Sequence, residues 1–357
     1  MQTQPPQEKG NKMKRQAFLK LAPLSIVPVL FCATIALAAD EALFDLKKVT
    51  DGVYIALARP AHVINSNAAI IILDDGVLVV DTHSKISAAR ALIEQIKTIT
   101  DKPVRYVVDS HFHYDHFQGN GAYHEVFPGA VEIIASEPTR EGIVHRGIPR
   151  IQAYVVEYTE SVKRKKARLT QTTDPEEKAQ LERDLAGDEE YLHDMKNTGD
   201  VLPTMSFEKS LILHRGDRTV QILFLGRGHT DGDTIVFLPK ERIICTGDLV
   251  HGWGPYMPDS HPYDWIKTLA AVERLAFDRI ISGHGDVMQG KSQVTKWKNY
   301  IKDLMNQVEK QYAQGHSVDE IKRTIDLSKH FLIIDRLDQS DVSQHVEKAY
   351  REISWQP

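Results

Sequence analysis

The sequence contains little cysteine and no excess of positive charge. Its 357 residues include only 2 Cys, too few for the disulfide framework that stabilises a small secreted domain. Its 44 Lys and Arg are outnumbered by 49 Asp and Glu, which gives a formal charge of -5. This balance argues against a nucleic-acid-binding protein, because such proteins depend on basic contacts to phosphates. No internal repeat stands out.

The remaining composition is that of a globular protein that is rich in histidine. Hydrophobic residues make up 42% of the chain, which is too many for a disordered protein. The length allows one large domain or two small ones. The 16 His are notable because histidine is the side chain most often used for metal binding and proton transfer near neutral pH.

The first 38 residues have the layout of a secretory signal peptide. A basic segment is followed by the apolar run Leu21–Ala39, which contains Pro23 and Pro28 and ends in Ala36-Leu37-Ala38-Ala39. We expect cleavage after Ala38 and a periplasmic or secreted bacterial protein. The alternative is an uncleaved membrane anchor, for which the run is marginal in length.

Cleavage would change the charge and the cysteine content. Residues 1–38 contain five basic residues and one acidic residue, so the mature chain carries a formal charge of -9. Cys32 would be lost and Cys245 would remain alone, which leaves no intrachain disulfide. We expect the mature protein to have no stable membrane association and to act on a small molecule.

The mature chain shows a mixed α/β pattern with two groups of strands. The first group comprises Val53–Ala58, Ala68–Leu73, Val77–Val80, Val104–Val108 and Val131–Ala135. The first three of these strands are predicted to form an antiparallel layer, and a helix over Ser84–Thr98 follows them. The second group comprises Leu211–Leu213, Val220–Leu225, Thr234–Leu238, Arg242–Cys245 and Ile280-Ile281. Two strand-rich halves, each followed by helices, predict a four-layer αββα sandwich.

Two helical segments extend this pattern. Residues 137–203 are highly charged and mostly helical in pattern, which indicates a solvated helical pair; the alternative is a lid over the functional site. The tail from Ser292 to Trp355 has apolar residues spaced for one buried helix face. We therefore predict a catalytic domain over residues 39–290, with residues 137–203 inserted in it, and a helical C-terminal extension over residues 291–357.

Histidines and aspartates cluster directly after the strand Val104–Val108. The segment His111-Phe112-His113-Tyr114-Asp115-His116 places three imidazoles and a carboxylate within six residues, which indicates a metal site rather than a surface His-rich loop. Alternate residues of an extended segment point the same way, so His111 and His113 can bind one ion. Asp115 and His116 follow the turn and can reach a second ion.

Three further strands end in a His or Asp beside a glycine. These short motifs are Gly226-Arg227-Gly228-His229-Thr230, Thr246-Gly247-Asp248 and Ser282-Gly283-His284-Gly285. Glycine permits the tight backbone that directs a ligand into a cleft. Each motif alone is typical of an ordinary turn. Together, in this order after the cluster at residues 111–116, they indicate that all four segments contribute to one metal site.

In these residues the chain resembles the metallo-β-lactamase superfamily, whose signature H-x-H-x-D-H is followed by a His, an Asp and a His. The resemblance runs from about Val53 to His284 and implies the αββα fold and a metal-dependent hydrolase with two zinc ions. It implies that His111, His113 and His229 hold one zinc ion, that Asp115, His116 and His284 hold the other, and that Asp248 bridges them. Asp81 matches the family's acid after an early strand, in a supporting role.

The resemblance also implies a mechanism. A hydroxide held between two zinc ions is the expected nucleophile, with Asp115 and Asp248 as the catalytic carboxylates. The bond is then an ester, lactone, thioester or amide. An aspartate at position 248 resembles the glyoxalase-II and lactonase branches, whereas the best-known zinc β-lactamases have Cys or Ser there. A periplasmic zinc β-lactamase is one alternative, since export would bring the enzyme into contact with antibiotics.

Two hypotheses from different functional classes are also open. One is a mononuclear iron dioxygenase of the same fold that acts on sulfur compounds and uses only His111, His113 and His229 or Asp248. The second is a metal-binding module without catalysis. The complete set of seven ligands argues against both, and metal analysis would distinguish zinc from iron.

Several aromatic side chains and one methionine near these motifs are candidates for a substrate pocket or for local packing. They are His251, Trp253, Tyr256 and Met257 in the loop after Asp248, together with Tyr154 and Tyr158 at the start of the charged segment. Asp231 and Asp233, which follow His229, are expected to form a hydrogen-bonded turn rather than to bind metal.

Overall fold

The computed structural model describes residues 43–59 and 66–355. The expected signal peptide over residues 1–38 lies outside the described residues. Within the described part of the chain, the strands form one sheet of seven strands and one of six. No helix in these two ranges is long and apolar enough to cross a membrane.

The first sheet follows the order of the chain. Its strands are β1 (Phe44–Thr50), β2 (Val53–Ala58), β3 (Ala68–Ile72), β4 (Val77–Val80), β5 (Val104–Val108), β6 (Glu132–Ser136) and β7 (Met205–Phe207). Strands β1 to β4 pair antiparallel, which confirms the opening layer predicted over β2, β3 and β4 and adds the unpredicted strand β1. Strands β4 to β7 pair parallel.

The second sheet has the order β13-β12-β11-β10-β9-β8. Its strands are β8 (Ser210–Arg215), β9 (Arg218–Phe224), β10 (Thr234–Leu238), β11 (Ile243–Cys245), β12 (Arg279–Ile281) and β13 (Met288–Gln289). The β11–β12 pair is parallel and the remaining pairs are antiparallel.

Helices cover the outer faces of both sheets and lengthen two connections. They are α1 (Ile86–Lys97), α2 (Tyr114–Phe117), α3 (Asn120–Val126), α4 (Glu137–Gly142), a π-helix (Ile143–Gly147), α5 (Ile148–Gln171), α6 (Pro175–Asn197), α7 (Pro262–Arg274), α8 (Ser292–Ala313), α9 (Val318–Thr324), α10 (Ser328–Phe331) and α11 (Gln339–Ser354).

The side chains of the strands alternate between two cores. In β3, Ala69 and Ile71 join a core between the sheets, whereas Ala68 and Ile70 face α1 and α3. In β10, Val236 and Leu238 join the same inter-sheet core, whereas Ile235 and Phe237 face α7, α8, α9 and α11. Because a strand alternates its faces, both sheets are apolar on both sides. The layers are therefore helix, sheet, sheet and helix, as the sequence predicted.

The charged segment forms an antiparallel helical pair, α5 and α6, preceded by α4 and the π-helix. Its outer part is solvated and held by ion pairs such as Lys166–Glu189 at 2.6 Å and Arg168–Glu177 at 2.7 Å. Its inner part shares an apolar core with Phe112 and Phe117 of the His-rich loop. This segment is thus joined to the residues that surround the candidate site.

The structure differs from the sequence predictions mainly at short or exposed elements. Strand β7 was not predicted because Met205 and Ser206 are exposed and only Phe207 is buried. Helix α1 begins at Ile86 rather than Ser84, since His83 has a left-handed φ of 69° and Lys85 is extended. The C-terminal helices α8, α9 and α11 are present and pack beside α7. The domain limits at residues 39–290 and 291–357 stay predictions.

Candidate metal centre

Loops from both sheets meet at one edge of the sandwich. Residues 109–113 follow β5 of the first sheet, and Asp81 follows β4. In the second sheet, His229 lies between β9 and β10, Asp248 follows β11, and His284 follows β12. All seven predicted ligands lie in these loops and in α2, so each strand end contributes side chains to the same edge.

Three histidines form one candidate ligand group. His111, His113 and His229 each offer a nitrogen, and these nitrogens all lie within 4.8 Å of one another. Nε2 of His229 lies 3.0 Å from Nδ1 of His113. Three imidazoles at this spacing suit a zinc ion.

A second group contains Asp115, His116 and His284, whose ligand atoms also lie within 4.8 Å of one another. Oδ2 of Asp115 is 3.5 Å from Nε2 of His116 and 3.5 Å from Nε2 of His284. The group mixes one carboxylate with two imidazoles, and the two His rings lie nearly perpendicular to each other. This ligand set is also one that zinc accepts.

Asp248 lies between the two groups. Its Oδ2 is 3.1 Å from Nε2 of His284, 3.6 Å from Nε2 of His116 and 3.9 Å from Nε2 of His229. Asp248 also forms a candidate metal group with His111 and His116. One carboxylate therefore contacts residues of both groups, and the structure brings all seven predicted ligands together.

Buried atoms without partners indicate that this cluster fits a bound cation. Nε2 of His111, Nε2 of His116 and Oδ1 of Asp248 are buried and have no hydrogen-bond partner among the described residues. A buried polar group without a partner is costly, and native structures contain few of them. Three such atoms in one cluster fit metal coordination, which would satisfy each of them.

Burial and the neighbouring charges shift the pKa values of the side chains in this cluster. Burial lowers the pKa of His111 well below its usual value and that of His229 to about 3, so both are neutral near pH 7. Burial also acts to lower the pKa of His116, but the carboxylates of Asp115 and Asp248 outweigh it and raise that pKa. Neutral imidazoles and ionised carboxylates are the forms that bind metal, so a cation would replace the proton held in this cluster.

A cavity of about 480 Å³ opens above the cluster. It is lined by His113, Tyr114, Asp115, Gly147, Arg150, Tyr154, Asp248, His251, Trp253, Gly254, Tyr256 and His284. Four of the predicted pocket residues therefore face the cavity. Tyr158 instead packs against Tyr191, and Met257 is fully buried in the core beside α7 and α8. Of the six predicted pocket residues, four therefore line the cavity and two take part in local packing.

A family model described as the metallo-beta-lactamase superfamily matches residues 63–284, which is more than half of the chain. The chain belongs to the metallo-β-lactamase superfamily. Membership of this superfamily and the candidate metal groups support a metal-dependent hydrolase.

Two proteins of the superfamily are similar to part of this chain. The linear primary-alkylsulfatase of Pseudomonas sp. (strain ATCC 19151) is 24% identical over 274 residues, which cover 72% of this chain and 49% of the relative. The chain thus spans about half the length of this curated relative. The solved structure of a metallo-beta-lactamase from Pontibacter korlensis has a TM-score of 0.53 at 17% identity, covering 72% of this chain and 99% of that one. This second likeness shows the fold.

Asp81 supports two ligands of the superfamily motif. Its Oδ2 lies 2.8 Å from Nδ1 of His116 and accepts a hydrogen bond from Oγ of Ser110, while its Oδ1 accepts from the Ser110 backbone. Ser110 in turn lies 3.0 Å from Nδ1 of His111. Such contacts leave the second ring nitrogen free to bind metal. Sequence analysis identified Asp81 but missed Ser110, whose only signal was its place beside His111.

Two glycines of the motif leave no room for a side chain. A Cβ on Gly283 would lie 2.3 Å from Oδ1 of Asp248 and 2.6 Å from Cε1 of His116. Gly247 has a left-handed φ of 50°, and a Cβ there would lie 2.2 Å from Oγ of Ser110. Glycine at these positions permits the loops to approach the ligands closely.

The two acids after His229 form turn and surface contacts. Asp233 accepts hydrogen bonds from the backbone and hydroxyl of Thr230, as expected for a turn. Asp231 pairs with Arg146 and with His261. Neither acid belongs to a candidate metal group among the described residues.

Asp259 and Arg150 were missed by the sequence analysis. Oδ2 of Asp259 lies 2.9 Å from Nε2 of His113, and Arg150 binds both oxygens of Asp259 at 2.7 Å. These residues lie 146 and 109 positions from their partners in sequence, and neither belongs to a motif. Asp259 is an isolated acid after Pro258, and Arg150 is one basic residue in a charged helix, so no sequence pattern indicated that either residue lies near the site.

Proposed function

We propose that the chain is a dinuclear zinc hydrolase. One zinc ion would be held by His111, His113 and His229, and the second by Asp115, His116 and His284, with Asp248 as the shared ligand. The observation that carries this proposal is the position of Asp248, whose Oδ2 lies within 4 Å of nitrogens from both groups.

Zinc is favoured by the chemistry of the ligands. Five imidazoles and two carboxylates match the nitrogen and oxygen donors that zinc prefers, and the carboxylates offset part of the charge of two cations. Calcium and magnesium prefer sites built from oxygen alone. A mononuclear iron centre would use three of the seven side chains and leave Asp115, His116 and His284 clustered without a role.

When bound, zinc would activate a water molecule at neutral pH and polarise the bond to be cleaved. The residues of the chain orient that reaction. Asp115 faces the cavity, and although burial acts to raise its pKa, His116 and His284 bring it down to about 2. Its carboxylate is therefore ionised at neutral pH and can accept a hydrogen bond from the attacking water, which would orient that water.

The cavity supports a small substrate with an apolar part. Tyr154, Trp253 and Tyr256 form aromatic walls, and Arg150 provides one cation. We propose an ester, lactone, thioester or amide as the bond. A sulfate ester is a second candidate, because the curated relative is named an alkylsulfatase. A β-lactam is a further candidate and belongs in the same assay.

The test combines metal analysis with a panel of substrates. The metal content is measured on the protein as purified. The zinc-loaded protein is then assayed side by side on a chromogenic cephalosporin, a thioester, a lactone, a phosphodiester and a linear alkyl sulfate, with Asp248→Ala as the inactive control. We expect about two zinc ions per chain and hydrolysis of at least one substrate. One iron per chain, together with oxygen uptake on a sulfur compound, would replace this proposal with a dioxygenase function.

We also propose that the protein is periplasmic or secreted. The basic and apolar pattern of residues 1–38 supports export. Expression of the full chain in a bacterium should give a periplasmic product whose first residue is Ala39. A product that keeps Met1 and sediments with membranes would instead indicate an anchored protein.

A further inference from the structure

His113 contacts a carboxylate on the side of its ring that faces away from His229. Nε2 of His113 lies 2.9 Å from Oδ2 of Asp259, while its Nδ1 faces Nε2 of His229 at 3.0 Å. An ionised carboxylate only accepts hydrogen bonds, so this contact places the ring proton on Nε2. The lone pair of Nδ1 is then directed toward the remaining two ligands of the first group, which is the tautomer that a metal requires.

Asp259 is itself held in one orientation by Arg150. Both terminal nitrogens of the guanidinium donate to Asp259, one to each oxygen and each at 2.7 Å. This parallel pair of charge-assisted bonds fixes the plane of the carboxylate as well as its position. The side chain of Asp259 is only 12% exposed, so competition from water is limited.

Arg150 belongs to the inserted segment and not to the sandwich. It lies in the first turn of α5, directly after the π-helix Ile143–Gly147. Helical turns of this type are rare and often occur near functional sites. The guanidinium groups of Arg146 and Arg150 lie 4.1 Å and 5.4 Å from the ring centre of Phe112, the residue between the two histidines of the motif.

A second contact fixes the same part of the insertion. Arg146 pairs with Asp231, and Asp231 lies 2.5 Å from Nε2 of His261, in the loop that also contains Asp259. The start of the insertion therefore contacts the loop after β5, the loop after β9 and the loop after β11. A segment that served only as a lid would contact the substrate cavity alone, so these contacts indicate a structural role for the start of the insertion as well.

We propose that Asp259 and Arg150 are positioning residues for the first metal site, so that the inserted helix α5 fixes the tautomer and orientation of His113. This inference rests on the proposed zinc centre. The inner part of the insertion is then needed for metal binding, whereas its outer hairpin is not. Arg150 also faces the cavity, and its two hydrogen bonds to Asp259 connect it to His113.

The experiment uses the full chain with the variants Asp259→Ala, Asp259→Asn, Arg150→Ala and Arg150→Lys. The matched control is Arg168→Ala, which removes an Arg–carboxylate pair of 2.7 Å from the exposed end of the same helix. Zinc affinity is measured by competition with a chromophoric chelator, and the geometry of the site by the visible spectrum of the cobalt-substituted protein. Nitrogen NMR of the metal-free chain reports the tautomer of His113.

We expect Asp259→Ala to lower the affinity for one zinc ion by about 10- to 100-fold and to alter the cobalt spectrum. Asp259→Asn should recover part of the affinity, because its amide oxygen still accepts from His113. Arg150→Lys should restore little of the loss caused by Arg150→Ala, since lysine cannot form the paired bonds. The control should bind zinc as the wild type does.

Separate outcomes test the inference and the proposed function. If the wild type binds zinc and the four variants bind it within twofold, the inference is wrong and the zinc centre stands. If the wild type binds no zinc, the proposed function fails. The tautomer of His113 in the metal-free wild type tests the contact with Asp259 independently of zinc. We expect the proton on Nε2, and a proton on Nδ1 alone would overturn the positioning role even if Asp259→Ala does not fold.

Discussion

The space around Gly283 gives a sharp test of the shared ligand. In Gly283→Ala, the new methyl group would lie 2.3 Å from Oδ1 of Asp248, whereas ordinary contacts begin at 3.4 Å. The carboxylate must therefore move by about 1 Å, which far exceeds the tolerance of about 0.2 Å for metal–ligand distances. His116 is crowded as well, with its Cε1 at 2.6 Å from the new methyl group.

The expected result is the loss of one metal ion. The three atoms nearest to a Cβ on Gly283 belong to Asp248, His116 and Gly247, and none of these residues is one of the three histidines of the first group. We expect the zinc content to fall from about two ions per chain toward one. A displacement of about 1 Å at a reacting centre lowers turnover by about 100-fold.

The matched control is Gly252→Ala, in a neighbouring loop. A Cβ there has no atom closer than 3.8 Å, so the substitution should leave zinc content and turnover unchanged. Both variants are analysed by inductively coupled plasma mass spectrometry and by steady-state kinetics on the best substrate of the panel. If Gly283→Ala keeps two zinc ions and normal turnover, the carboxylate of Asp248 is not confined as the structure indicates, and its role as shared ligand is refuted.

Three further predictions concern different parts of the molecule. Asp248→Ala should reduce both metal content and turnover; full dinuclear occupancy in this variant would contradict the bridging role. Asp81→Asn places an amide group against Ser110 or His116 and should weaken zinc binding by about 10- to 100-fold in chelator competition; wild-type affinity would show that the charge of Asp81 is not needed. Burial lowers the pKa of His345 to about 4 from 6.5, so the unfolded chain takes up a proton before the folded chain as the pH falls. The metal-free protein should therefore lose about 2 kcal/mol of its free energy of unfolding between about pH 7 and pH 5 through this residue, and His345→Gln should remove that loss in urea titrations. An equal decrease in both proteins would rule out His345 as the source.

The clustering of the candidate ligands could be predicted because its signal is local. His111, His113, Asp115 and His116 share one short segment, and His229 and His284 each adjoin a glycine after an apolar strand. The layers were predictable for a related reason, since apolar runs such as those of β4 and β10 are buried on both faces.

The hydrogen bonds that hold the candidate ligands in place could not be predicted, because they join distant parts of the chain. Arg150 is one basic residue among many in a charged helix, and only the folded chain brings it to Asp259. Tyr154 and Tyr158 illustrate the same limit. They lie one helical turn apart, yet Tyr154 lines the cavity and Tyr158 packs on Tyr191 of the next helix. The sequence pattern does not contain the neighbour that decides between these outcomes.

Each candidate metal group draws its ligands from both sheets. His111 and His113 follow the first sheet and His229 belongs to the second, and the second group divides in the same way between Asp115 and His284. Metal binding is therefore linked to the folding equilibrium, because the unfolded chain does not hold these ligands together. Free zinc at about 100 times its dissociation constant would add about 2.7 kcal/mol to the free energy of unfolding for one site. Zinc starvation should accordingly shorten the lifetime of the protein against proteases as well as stop its catalysis.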